Sequence, residues 1–248
     1  MTVLEETFEI PGEGEASIRV RVTQPSVFEG GECFCLLFSS GLTTRFDETP
    51  DTQPSLFNVL RPHLRQAGLG TIEFDWRERS TKAGRSTEED VGSRIQVART
   101  LLRSAEFHRF SSAKVVWIGL SLGGTIMLHL LSGLDIAFNS TPELAILIST
   151  VIEKPITIYA PVKNLLLLYG ERDHIVYVDE DSEPSTPIPA AEFGRLSSAR
   201  LVVRKSQLVV TEIIPGVGHL LTNDDACPWE ALEPILSALR KFTYSHNA

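Results

Sequence analysis

The sequence predicts an α/β protein: a mostly parallel sheet with helices on both faces and an antiparallel hairpin at its start. Three observations carry that expectation. Several strand-length runs are near-continuously apolar, among them Cys33 to Phe38 and Leu144 to Ser149, which suits strands covered on both faces. Segments with helical spacing separate those runs. The opening residues read differently, because 3 to 10 and 16 to 22 alternate apolar with polar residues, imperfectly in the first, on either side of Pro11-Gly12-Glu13-Gly14.

After that hairpin, Cys33 to Phe38 predicts a buried strand, and Ser55 to Gln66 a helix stopped by Gly68. Gly70 to Phe74 is strand-like again. Asp90 to Ala105 carries Val91, Ile95, Ala98, Leu101 and Leu102 on one side and predicts a second helix. Val115 to Ile118 is an apolar β-type run, followed by a glycine-bracketed serine and a helix-like stretch from Thr125 to Leu131. Leu144 to Ser149, Leu165 to Tyr169 and Leu208 to Ile214 read as further strands, and Trp229 to Phe242 as the last helix. No internal repeat is visible. Asp179 to Pro189, rich in acid, proline and serine, is expected to be an exposed loop.

Size and composition bound what such a sheet could serve. At 248 residues the chain suits one undivided domain, 1–248. Its 42% hydrophobic and 22% charged residues are those of an ordinary globular protein. With 23 basic and 32 acidic side chains the formal net charge is -9, and no block of basic residues stands out, so nucleic acid and anionic membrane surfaces are not expected partners. Glu5 and Glu6 stand where a secretory signal would be positive, and no apolar stretch approaches a bilayer's thickness, so a cytoplasmic location without membrane insertion is expected. Cys33, Cys35 and Cys227 make an odd number, with two on the same face of one strand. They read as small buried hydrophobes, and neither a disulfide framework nor a four-ligand metal spacing follows from them; no cofactor is implied.

The chemistry begins at Gly119-Leu120-Ser121-Leu122-Gly123-Gly124. A serine held in a sharp turn between a strand and a helix has its hydroxyl pushed out over the sheet edge, and bulky neighbours two residues either side would collide. The helix that starts after it leaves unbonded N–H groups and the positive end of its dipole where an oxyanion would form. A hydroxyl needs a base to take its proton, and that base needs a carboxylate to orient it. Asp173 lies past Leu165 to Tyr169, through Gly170-Glu171-Arg172, and His219 lies past Leu208 to Ile214, through Pro215-Gly216-Val217-Gly218. Both therefore fall at carboxyl ends of strands, where the active residues of a parallel sheet gather.

Rivals exist for each role. Glu171 competes with Asp173 as the acid, and Asp179, Glu180 and Asp181 lie farther along in the acidic loop. His174 is adjacent to Asp173 but should point away from it, His129 lies on the helix behind the serine, and His63, His108 and His246 have no strand-end context. Asp75 and Arg77, after the strand Gly70 to Phe74, read as a structural charge pair.

In the order Ser121, Asp173, His219 the chain resembles the α/β-hydrolase superfamily, through the Gly119 to Gly124 turn, Gly170-Glu-Arg-Asp173 and Gly216-Val-Gly218-His219. The resemblance spans nearly the whole chain. It implies a serine hydrolase acting on a carboxylic ester or thioester, with Ser121 as nucleophile, His219 as general base and Asp173 as orienting acid. It also implies an oxyanion hole from the backbone N–H groups of Leu42 and Leu122. A His-Gly pair is usual in the loop before the first of these donors, and this sequence has Ser39-Ser40-Gly41. A ligand-binding module that kept the fold without the chemistry, and an acyltransferase, are the alternatives.

The segment where such proteins often insert a cap, about 150–164, is too short for a lid domain. An open cleft is expected, with Ile152, Ile156 and Tyr159, together with Ile158 and Val162, as an apolar rim that contacts substrate. The acidic loop would add a weak preference for neutral or cationic substrates. Acyl length, leaving group and oligomeric state are not encoded in any motif.

Overall fold

The computed structural model describes residues 4–12, 17–24, 32–40, 56–76, 88–133, 142–173, 175–176, 187–204, 207–223 and 226–244. In chain order these form β1 (Glu5–Ile10), β2 (Ile18–Thr23), β3 (Cys33–Phe38), α1 (Leu56–Gln66), β4 (Gly70–Phe74), α2 (Glu88–Arg103), α3 (Ala105–His108), β5 (Lys114–Leu120) and α4 (Leu122–Ser132). There follow β6 (Leu144–Ile148), β7 (Ile156–Thr157), β8 (Asn164–Gly170), β9 (Ile175–Val176), β10 (Pro187–Ile188), α5 (Ala190–Arg200), β11 (Leu201–Val202), β12 (Leu208–Ile214) and α6 (Trp229–Tyr244). Eight strands make one sheet in the order β1-β2-β4-β3-β5-β6-β8-β12. The pairings of β1 with β2 and β2 with β4 are antiparallel, and all the others in this sheet are parallel.

Strand periodicity divides the core in two. In β3, Phe34, Leu36 and Phe38 belong to one cluster while Cys33, Cys35 and Leu37 belong to the other, because successive side chains leave a strand on opposite faces. The first cluster takes its cover from α2, α3, α4 and α5, through residues such as Ala98, Phe107, Ile126 and Phe193. The second is covered by α1 and α6, through Leu60, Leu64, Ile235 and Leu239. Every residue of β3, β4 and β6 is buried, and for β3 and β6 that is why they read as unbroken apolar runs. Burial also pushes the thiol of Cys33 up to about 11 and that of Cys35 well above its ordinary value, and all three cysteines are free thiols.

The stop at Gly68 has an identifiable geometry. Leu69 N–H donates to the Leu64 carbonyl and Gly68 N–H to that of Arg65, both at 2.9 Å, and Gly68 sits at φ 75°. This is the paired-bond cap that a left-handed residue after a helix makes, and it turns the chain directly into β4.

One buried charge was not legible in the strand pattern. Glu73, in the middle of β4, is 4% exposed; its carboxylate accepts Arg21 Nη2 at 2.7 Å and is ion-paired with Arg61, whose Nε lies 3.1 Å away. The three charges tie β2, β4 and α1 together. Burial lowers the pKa of Arg61, and Glu73 opposes that shift. Glu73→Ala should leave two guanidinium groups facing each other and cost about 3 kcal/mol, read as a Tm lower by roughly 6–10 °C in a thermal melt.

The structure departs from the sequence reading in two further places. Helix α5 was missed because its buried positions, Ala190, Phe193, Gly194 and Ser197, have helical spacing but mostly small side chains. Gly194 is needed there, since a Cβ would come within 2.8 Å of Thr211 Cγ2 on β12. The two-residue ladders β7 with β11, parallel, and β9 with β10, antiparallel, were also unforeseen. Of the acidic loop expected over 179–189, residues 179–186 lie outside the described residues. No helix among the described residues is long and apolar enough to cross a membrane.

Candidate active site

Ser121 ends the turn between β5 and α4 with φ 53° and ψ -119°, a backbone conformation that an L-residue adopts only under constraint and at a cost of about 1–3 kcal/mol. The constraint is packing. A Cβ on Gly119 would lie 2.7 Å from the Gly124 Cα, one on Gly123 would run into the carbonyl oxygens of Phe38 and Ser39, and one on Gly124 into Thr150. These glycines let the first turn of α4 sit directly on the ends of β3 and β6. Ser121 N–H donates to the Ile148 carbonyl at 2.7 Å, which anchors the turn to β6. Leu122 is the first residue of α4, so its N–H has no carbonyl one turn back to bond.

The sheet order sets β5, β6, β8 and β12 side by side, and their carboxyl ends are laced together. Ser149 N–H donates to the Leu168 carbonyl at 2.8 Å, Glu171 N–H to that of Ile214 at 2.8 Å, and Arg172 N–H to that of Val217 at 2.9 Å. Gly170 permits the last approach, since a Cβ there would strike the backbone of Val217 and Gly218. Across this seam His219 Nδ1 is 2.9 Å from Asp173 Oδ2, and His219 Nε2 is 2.8 Å from Ser121 Oγ. The carboxylate side chain is 4% exposed and the imidazole 39%, so the acid is shielded while the ring is open to solvent. With a carboxylate on Nδ1, the tautomer that carries its proton there leaves Nε2 as an acceptor for the serine hydroxyl.

Glu171, the rival acid, has another task. Its Oε2 accepts the Gly216 N–H at 2.9 Å, at a residue with φ 72°, and so pins the turn that leads to His219. Asp179, Glu180, Asp181, His174 and His246 lie outside the described residues. His63 makes an edge contact with Trp229, His108 ends α3, and His129 lies in the last turn of α4 with its pKa lowered by burial and by Arg99. Asp75 accepts Arg19 Nε at 2.8 Å, a structural charge pair between the end of β4 and β2. Arg77 itself lies outside the described residues.

Of the two expected oxyanion donors, Leu122 begins α4 and Leu42 lies outside the described residues. The strand end that leads toward Leu42 is braced from behind. Trp76 Nε1 donates to Ser39 Oγ at 2.6 Å, and Arg94, 2% exposed, stacks 5.4 Å over the Trp76 ring with Nη1 3.5 Å from the Ser40 carbonyl. This brace joins segments remote in sequence, and the sequence reading did not contain it. Its signal was present, since Arg94 interrupts an apolar helical stripe of Val91, Ala98 and Leu101 at spacings of three and four.

Residues 150–164, where the apolar rim was expected, carry the chain back along the sheet from β6 to β8, as a parallel connection must. On the way, Ile156–Thr157 pairs with Leu201–Val202, and Tyr159 and Ala160 donate to the Leu131 carbonyl near the end of α4 remote from Ser121. Ile152, Ile158 and Val162 are spent on the core beneath α4, Ile156 packs against it half-buried, and Tyr159 stays exposed at that far end. A cavity of about 400 Å³ opens instead beside His219, lined by Arg172, Gly216, Gly218, Leu220, Thr222 and Asn223. No group of three His, Cys, Asp or Glu that could hold a metal occurs among the described residues.

Solved structures of similar architecture cover almost all of this chain. An esterase from Pyrobaculum calidifontis superposes with a TM-score of 0.59 at 15% identity, over 99% of this chain and 86% of that one. Dienelactone hydrolase from Anabaena variabilis gives 0.58 at 16% identity, over 98% of both chains. Mouse alpha/beta hydrolase domain-containing protein 10 gives 0.61 at 12% identity, over 96% of this chain and 98% of that one. The chain has the α/β-hydrolase fold. No protein-family model matches the sequence, and no curated protein does. Within the α/β-hydrolase fold, the hydrogen-bonded chain from Ser121 to Asp173 occupies the carboxyl edge of the parallel strands, where ligands of open α/β sheets bind.

Proposed function

We propose that this protein is a serine hydrolase that cleaves a carboxylic ester or thioester through an acyl-enzyme on Ser121. The observation that carries the reading is the unbroken chain of contacts from Ser121 Oγ through both ring nitrogens of His219 to the shielded Asp173 carboxylate. His219 Nε2 takes the hydroxyl proton as Oγ attacks the carbonyl carbon, and Asp173 stabilises the imidazolium that forms. The Leu122 N–H, at the positive end of α4, donates to the oxyanion. Collapse of the tetrahedral intermediate breaks the bond to the leaving oxygen or sulfur, which receives the proton from His219. Water, deprotonated by the same imidazole, then releases the acid and restores Ser121.

The test is covalent. A serine-directed fluorophosphonate should add one equivalent to the wild-type chain and none to Ser121→Ala, with p-nitrophenyl acetate turned over only by the former. A wild-type protein that is folded yet takes up no label would leave a ligand-binding module as the better reading. A second expectation concerns the loop behind the oxyanion. Trp76→Phe keeps an aromatic ring in the core but loses the bond to Ser39, and should lower kcat by about tenfold with KM within about twofold, since a displaced oxyanion donor affects the transition state more than the ground state.

A further inference from the structure

The two edges of the eight-stranded sheet are unlike. β1, at one edge, is Glu5-Glu-Thr-Phe-Glu-Ile10 and carries three carboxylates. β12, at the other, is Leu208-Val-Val-Thr-Glu-Ile-Ile214 and carries one. Charged residues on an edge strand deter pairing with another chain, and a long apolar edge without such guards invites it. Leu208 and Val210 are 58% and 37% exposed, although they lie on the face that α6 covers elsewhere.

Among the described residues no strand pairs with the outer side of that edge. Leu208 N–H donates to the Lys163 carbonyl and the Ile214 carbonyl accepts from Glu171 N–H, each at 2.8 Å. In a parallel register the N–H and C=O of residues 208, 210, 212 and 214 therefore face β8, and those of Val209, Thr211 and Ile213 face outward. None of these three outward residues has a backbone partner among the described residues. Alongside runs a cavity of about 640 Å³ between β12 and α6, whose walls include Leu208, Val210, Ala238 and Phe242 together with Glu212 and Lys241.

We infer that β12 is a homodimerisation edge: two copies of this chain pair antiparallel through β12 about a twofold axis at Thr211. The occupant is a second copy because the edge is complementary to itself. Antiparallel pairing of identical strands is an isologous contact that closes at two, whereas a parallel pairing would leave an edge open for further addition. Centring on Thr211 sets Val209 opposite the partner's Ile213 and Thr211 opposite the partner's Thr211, so every outward N–H and C=O of the three residues is used. Val210 then faces the partner's Glu212 at the close, non-hydrogen-bonded position, about 4.5 Å between Cα atoms. The adjoining groove carries both signs of charge, Glu212 and Lys241, so it can meet its own image without facing charge of one sign only.

Sedimentation velocity on the full chain at micromolar concentration tests this. The wild type should sediment as two chains of 27.4 kDa each. Thr211→Pro removes an N–H that β8 does not use and should give a folded monomer, since proline is tolerated where the N–H faces outward. Val210→Asp sets a carboxylate against the partner's Glu212 and should raise the dimer dissociation constant about tenfold, while Val210→Lys, equally polar but opposite in sign, should keep the dimer. A wild type that sediments as one chain overturns the proposal. So does a dimer that withstands both Thr211→Pro and Val210→Asp, or one that Val210→Lys and Val210→Asp weaken equally. The Val210 pair decides the matter even if the proline variant does not fold.

Discussion

Replacing Ser121 with alanine should lower kcat for a carboxylic ester by about 10⁶-fold while leaving the protein folded. The size of the effect follows from what the hydroxyl does. Its oxygen forms the bond that the proposed acyl-enzyme depends on, and alanine offers no nucleophile in its place. A residual rate above that in buffer would survive, because the oxyanion donors and the binding surface remain. Steady-state turnover of p-nitrophenyl acetate, with circular dichroism as the folding control, measures it. A variant retaining more than about a hundredth of the wild-type rate would place the chemistry elsewhere in the molecule. Ser121→Gly should be equally inactive yet more stable than Ser121→Ala, because only glycine adopts the φ of 53° without strain.

Gly123→Ala should disable the site by a different route, through the fold. The added Cβ meets the carbonyl oxygens of Phe38 and Ser39, which are backbone atoms at the end of a central strand and cannot swing aside as a side-chain tip could. Either the first turn of α4 lifts off β3, which moves Ser121 away from His219, or β3 shifts and disturbs the loop that leads toward Leu42. Overpacking of this kind costs about 3 kcal/mol, and an angstrom of displacement at the nucleophile costs on the order of a hundredfold in rate. Thermal melting and fluorophosphonate labelling, measured on the same preparation, should both decline. Gly92→Ala is the matched control. Gly92 lies on α2 with nothing within 4 Å of a Cβ, so alanine there should raise stability by about 0.5–1 kcal/mol and leave labelling unchanged. A Gly123→Ala protein as stable and as readily labelled as wild type would mean that the elbow does not depend on this contact.

Much of this architecture was legible in the sequence because parallel strands buried on both faces leave a strong mark. β3, β4 and β12 have the limits that their apolar runs suggested, and the hairpin, α1, α2 and the elbow came within a few residues. Ser121, Asp173 and His219 could be singled out because each follows such a run through a short, glycine-bearing turn. What escaped notice has physical causes. Helix α5 packs through Gly194 and Ser197, which carry no hydrophobic signal. Glu73 looks like a surface acid within a strand until Arg21 and Arg61 are seen on it. Ile152 and Tyr159 were expected at the cleft because apolar residues near the carboxyl end of a central strand resemble a rim. The core beneath α4 needed Ile152, and the crossover to β8 carried Tyr159 away.

By itself the sequence determined the local events: where most strands of the main sheet lie, which turn holds the serine under strain, and the order in which a serine, a carboxylate and an imidazole leave the sheet. These depend on residue type and spacing over a few positions, and period two, period 3.6 and glycine placement are written into the chain. Only the tertiary structure decided which strand ends lie side by side, and therefore that His219 reaches both Ser121 and Asp173 within hydrogen-bonding distance although they stand 98 and 46 residues away along the chain. It also decided that Glu171 holds the Gly216 N–H, that Arg94 and Trp76 brace Ser39 and Ser40, and that β12 lies at the end of the sheet. Each of these depends on contacts between segments remote in sequence, which no local pattern specifies and only the packing of the whole sheet brings together.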